Sequence, residues 1–128
     1  MNFRATCMTQ GASAVLFGAV LLVLPGPLLL LFGFGGPDVE VVGRIAGGMM
    51  LALGATLLSV RDVGPELRLQ VCIGNGLCDV ALTVLLALAT RDHVANQLGY
   101  ALTAIFLANA LSWGIASRDR GALTRETG

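Results

Sequence analysis

The stretch Leu69–Thr90, LQVCIGNGLCDVALTVLLALAT, is a continuous run of apolar and small residues with one charged residue, Asp79, near its middle. A run of about 20 such residues is long enough to cross a bilayer as a helix. A carboxylate in the middle of it is costly to bury and is a functional candidate by default. Asn75 and Asp79 are four residues apart, so a helix puts both on one face. The run therefore reads as a membrane-spanning helix that carries a polar spot at mid-depth.

The rest of the composition follows this pattern. The chain has 128 residues, 55% of them hydrophobic and 12% charged, with a mean hydropathy of +0.81. An ordinary soluble domain is about 25% charged, so half the usual complement is missing. The charges that remain gather between four long apolar runs, as expected for a polytopic membrane protein. A formal net charge of zero gives no basis for nucleic-acid binding. Cys7, Cys72 and Cys78 lack CxxC spacing, and a lone His93 offers nothing to complete a metal site, so neither a disulfide framework, a metal nor a cofactor is expected.

The predicted fold is an all-α bundle of four transmembrane helices in a single domain, residues 1–128, with spans at about 10–33, 39–60, 69–90 and 94–117. Residues 1–9 read as a short polar lead. The first run is too long for the apolar part of a signal peptide and lacks a small-x-small cleavage site after it, so it reads as a retained span. Pro25-Gly26-Pro27 interrupts it, and Leu28–Phe34 reads as a short irregular finish. Gly35-Gly36-Pro37-Asp38 reads as a turn with Asp38 as helix N-cap. The second span carries Glu40 and Arg44 at ion-pair spacing. Gly43, Gly47 and Gly54, with Gly48 alongside, form a smooth face that suits close packing within the bundle or between subunits. Three spans close on Arg-Asp: Arg61-Asp62, Arg91-Asp92 and Arg118-Asp119. Residues 120–128 read as a polar, frayed tail.

Orientation follows from arginine counting, since loops facing the cytoplasm carry the excess of cations. Arg4, Arg61, Arg68, Arg118, Arg120 and Arg125 fall on the side of both termini, and Arg44 and Arg91 on the other. Both termini are thus expected in the cytoplasm, with the chain a multi-pass protein of a bacterial inner membrane.

Treating the spans as antiparallel neighbours puts Asn75 at the depth of Ala108 and Asp79 at that of Ala104, with Asn109 in reach of both. Arg44, Asn75, Asp79 and Asn109 then form one interior cluster. Two readings of it compete. Asp79 can pair with Arg44 while the two amides bond across helices, which is ordinary structural glue. Alternatively the cluster faces a cavity, and Asp79 gives or accepts a proton with Asn75 and Asn109 orienting it and Arg44 tuning it. Phe106, Asn109 and Trp113 share a helix face, with Tyr100 farther out, so the three aromatics could wall a pocket for a greasy ligand with one polar end. Trp113 alone, near the span boundary, reads as a member of the interfacial aromatic belt. His93 reads as a solvated loop residue.

Gly43-Arg44, Gly47-Gly48 and Gly54, together with the length and span count, resemble small bacterial four-helix membrane proteins of the DoxX-like kind. Small size and an intramembrane acid near aromatics are also similar to small membrane-bound terpenoid cyclases. The latter resemblance implies protonation of an alkene or epoxide of an isoprenoid, followed by cyclisation or isomerisation, with Asp79 as the acid. Small multidrug exporters also have four spans, but their essential Glu lies midway along the first, which here has no ionisable residue. The expected partners are thus the bilayer and a lipophilic small molecule. The rival is a non-catalytic accessory subunit of a larger membrane complex, and a homodimer through the glycine face fits either.

Overall fold

The computed structural model describes residues 2–36 and 38–118. Met1, Pro37 and residues 119–128 lie outside it, so the Pro37 turn, Asp119, Arg120, Arg125 and the expected tail are not described further. The protein is all-α, and four of its helices are long and apolar enough to cross a membrane.

The first helix, α1 (Phe3–Val23), begins well ahead of the expected start near Gln10. The cause is a side-chain cap: the Asn2 carboxamide oxygen accepts from the Ala5 N–H at 2.9 Å, which satisfies one of the open donors of the first turn. The helix breaks at Leu24, whose backbone leaves helical geometry (φ −128°, ψ 55°) ahead of Pro25. The segment beyond the break is not irregular. Pro25 sits where its missing N–H costs nothing, and α2 (Pro25–Leu31) is a regular short helix. Gly33 ends it at φ 87°, with Phe34 N–H returning to Leu29 O and Gly33 N–H to Leu30 O. This is the paired closure that needs a left-handed residue just past the helix.

The second long helix, α3 (Val39–Ser59), follows Asp38, but Asp38 has helical backbone angles and its side chain caps nothing. Glu40 and Arg44 form no ion pair. The Glu40 carboxylate instead lies over Gly26, beside the first turn of α2, where the helix dipole favours an anion. A 3-10 turn, Val60–Asp62, leads to α4 (Pro65–Arg91), and α5 (Leu98–Ser117) completes the chain. The Arg-Asp closures hold locally: Arg61 contacts Asp62 at 3.2 Å and Arg91 contacts Asp92 at 2.8 Å.

These helices make two hairpins rather than a closed ring. Helix α3 packs along α1, α4 packs along α5, and the hairpins meet mainly through α1 and α5. The glycine face is consumed inside the chain. A Cβ on Gly47 would lie 2.8 Å from Gly18 O and Leu22 N, and one on Gly54 would lie 2.7 Å from Gly11 O. Gly43 is pressed against Pro25 and Leu29. Gly11 and Gly18 on α1 thus complement Gly47 and Gly54 on α3, leaving Gly48 open.

The α4–α5 turn is longer than expected. His93 takes the left-handed conformation (φ 59°) just past α4, and Val94 N–H and Ala95 N–H return to Ala89 O. Asn96 then ties the two hairpins together at this end. Its amide donates to Leu31 O at 2.8 Å, its backbone N–H donates to Phe32 O at 2.9 Å, and its side-chain oxygen accepts from Leu98 N–H. One residue thereby closes the C-terminus of α2 and opens α5.

Candidate functional site

The core lies at the end of the bundle that carries the start of α1. It is built from Phe3 and Cys7 of α1, Leu57 of α3, Cys72 of α4, and Trp113 and Ala116 of α5. Trp113 is 1% exposed, so it is a core residue and not part of an aromatic belt. Two neighbours stand against it. Gly76 of α4 lets the α5 backbone approach, with a Cβ there lying 3.5 Å from that of Trp113. Phe3 packs against the indole with ring centroids 6.5 Å apart and planes tilted by 57°, a favoured aromatic geometry. Phe3 is covered in turn by the Arg68 guanidinium, 5.5 Å from its centroid, a cation–π contact. Arg68 is held in place by donating from Nε to Val63 O at 2.7 Å.

The contacts of Gly76 with Trp113 and of Gly99 with Thr90 set the register of α4 on α5. Asp79 therefore stands at the height of about Ala110, deeper along α5 than the expected Ala104. The shift follows from the His93–Asn96 turn, which delays the start of α5 to Leu98. It brings Trp113, one helical turn along α5, to the acid.

Asp79 is half-buried. Its Oδ2 is fully buried and has no hydrogen-bond partner, and the same is true of Trp113 Nε1. The indole N–H lies beside the carboxyl without reaching hydrogen-bonding geometry. A buried polar atom left unpaired costs about 1–3 kcal/mol, and most such groups in folded proteins are satisfied. A buried indole N–H beside a half-buried carboxyl, between α4 and α5, is therefore the unusual feature of this molecule.

The other expected site residues are placed differently. Arg44 is exposed on α3, a helix that scarcely touches α4, and no Arg44–Asp79 pair forms. The four-residue interior cluster fails because the hairpin order packs α5, not α3, along α4. Asn75 turns its amide back onto its own helix, donating to Val71 O at 2.9 Å. Asn109 is half-buried, and its backbone carbonyl accepts from the Gln10 side chain at 3.3 Å, which links α1 to α5. Phe106 is half-buried, on the same face as Trp113, whereas Tyr100 is exposed toward the other end of α5. Cys7 and Cys72 are buried and Cys78 is exposed.

Gln10, Asn96, Phe3 and Cys7 were not singled out by the sequence as site or scaffold residues. Gln10, an amide at the head of an apolar run, and Asn96, just ahead of one, carried a usable signal. Phe3 and Cys7 carried none.

The geometry defines an all-α protein with four helices fit to span a membrane and a buried acid–indole pair between the last two. Comparison with known proteins finds no match: no family model, no curated protein and no solved structure is significantly similar to this chain.

Proposed function

We propose that the protein is a multi-pass protein of the cell inner membrane, both termini cytoplasmic, that binds a lipophilic small molecule at Asp79 and Trp113. The four apolar helices support the membrane assignment. The orientation is supported by Arg4, Arg61, Arg68 and Arg118 at the end carrying the N-terminus, against Arg44 and Arg91 at the other. The observation that carries the binding reading is the adjacent pair of buried, unpartnered atoms, Asp79 Oδ2 and Trp113 Nε1. With no guanidinium beside it, Asp79 is free to exchange a proton with a bound molecule.

A likeness to terpenoid cyclases would make Asp79 the acid that protonates an isoprenoid. Only Trp113 and the half-buried Phe106 would then face a developing cation, so the proposal is carried for binding and proton exchange and stops short of cyclisation. The test is organic extraction of the protein purified in mild detergent, followed by mass spectrometry. One class of lipophile should accompany the wild type at near-stoichiometric amount and be absent from a folded Asp79→Leu variant. Identical extracts from the two would refute the reading.

The rival, an accessory subunit of a larger complex, is favoured by one observation. Helix α4 is the barest of the four, with 6% of its apolar stretch buried against 33% for α1. Co-purification of a stoichiometric membrane partner, lost when Gly74 and Cys78 on that bare face are enlarged, would favour it.

A further inference from the structure

We propose that Arg68 seats the phosphate of one anionic phospholipid in the leaflet at the N-terminal end of the bundle, with Arg4 and Arg61 completing the site. The inference goes beyond the binding reading at Asp79 and shares with it only the membrane assignment. It starts from the length of α4. Its 27 residues rise about 40 Å, against a hydrocarbon core of about 30 Å, so both ends of the helix stand at headgroup depth. Arg68 and Arg91 lie about 35 Å apart along it, one in each headgroup layer.

Three guanidiniums gather where α4 begins. Arg4 Nε lies 3.4 Å from Asp62 Oδ1, and Arg61 Nε lies 3.2 Å from Asp62 Oδ2. Arg68 Nε donates to the carbonyl of the next residue, Val63, at 2.7 Å. One carboxylate, Asp62, thus stands against three guanidiniums held on two consecutive residues. Glu66 is the other acid at this end. It precedes Arg68 by two residues, a spacing that turns the two side chains to different faces of a helix, and among the described residues no cation pairs with it. The surplus charge here is positive.

Arg68 is the guanidinium that is held ready. Its flat face lies 5.5 Å from the centroid of Phe3, a core residue that is 4% exposed. Its Nε is taken up by Val63 O, whereas its Nη atoms donate to no described residue and are not enclosed. A guanidinium fixed in this way presents its end-on edge, two parallel N–H donors, to an acceptor with two oxygens. A phosphodiester has that geometry, and phosphate is what the bilayer supplies at this depth. A zwitterionic headgroup would also bring an ammonium among Arg4 and Arg61, as a like charge. An anionic headgroup brings none and offsets the surplus.

The experiment titrates the full chain in mild detergent with dioleoylphosphatidylglycerol or dioleoylphosphatidylcholine and counts bound lipids by native mass spectrometry. The expected result is one phosphatidylglycerol held about tenfold more tightly than phosphatidylcholine, as a charge-assisted pair of hydrogen bonds would give. Arg68→Gln should abolish that preference, and Arg91→Gln at the opposite end should leave it intact. Arg68→Lys keeps the charge but not the fork, and should retain only part of it. Trp113 emission reports whether each variant keeps the packed core; if Arg68→Gln loses it, Arg68→Lys decides, and full retention of the preference there would overturn the seat. Equal binding of the two lipids by the wild type would overturn the proposal. Equal losses from Arg68→Gln and Arg91→Gln would overturn it too, because the charge would then act without a seat. Displacement of the lipid by millimolar inorganic phosphate would overturn the lipid as the source of the anion. Release of the chain from membranes by alkaline carbonate would overturn the membrane assignment along with this inference.

Discussion

Substituting Gly47 by Ala should weaken the protein by prising α1 from α3, and the neighbouring Gly48 supplies its own control. A Cβ at Gly47 would lie 2.8 Å from Gly18 O and 2.8 Å from Leu22 N. Both are backbone atoms of α1, so no side chain can rotate away. To regain ordinary contact the helices must part by about half an ångström along a close-packed seam, forfeiting part of every contact along it. Overpacking of this kind costs about 1–3 kcal/mol. At Gly48 a Cβ meets nothing. Both substitutions share the intrinsic helical preference for Ala over Gly, about 1 kcal/mol, so it cancels in the comparison. The difference between Gly47→Ala and Gly48→Ala is thus expected at about 1–3 kcal/mol. Reversible unfolding in mixed micelles, followed by the emission of Trp113, the single tryptophan of the chain, measures it. Equal stability of the two variants would refute the intramolecular glycine seam and return that face to a contact between subunits.

Asn96→Ala removes the donor to Leu31 O and the acceptor for Leu98 N–H, and should cost about 1–2 kcal/mol in the same assay. Asn96→Asp, which retains the acceptor, should recover part of that loss. His93→Gly relieves a left-handed backbone at φ 59° and should raise stability by up to about 1 kcal/mol, whereas a rise for His93→Val would contradict the turn geometry. Trp113→Ala empties the centre of the core and should cost about 3–5 kcal/mol, read by circular dichroism since the fluorophore is gone. Trp113→Phe should cost much less, because Phe3 still has a ring to pack against.

The four long apolar helices were legible because hydropathy and length alone mark them, and no packing detail can undo that. The glycines of α3 were legible as a close-packing face, but their partner, the equally spaced Gly11 and Gly18 of α1, was not expected. Asp79 was legible as a buried acid for the same reason the span was. Its surroundings were not. The assumption of evenly spaced antiparallel neighbours put Arg44 within reach, but which helix lies beside which is decided by contacts such as Gly18 on Gly47, not by chain order. The register of α5 against α4 depends on a left-handed histidine and on Asn96 bonding to a helix about 65 residues earlier, neither of which leaves a periodic trace. Asn75 shows the limit from the other side. A buried amide in a helix can satisfy itself on the preceding turn, so its place beside Asp79 on one face did not make it a partner.

The measurement that tests the central claim most directly is the infrared carboxyl band of Asp79, titrated in three proteins and assigned with Asp79→Asn. In the wild type and in Arg44→Gln the titration should coincide, because Arg44 stands on the other hairpin. In Trp113→Phe it should move, because the indole is the group beside the carboxyl. A titration that moves with Arg44→Gln and stays put with Trp113→Phe would contradict both the hairpin order and the site.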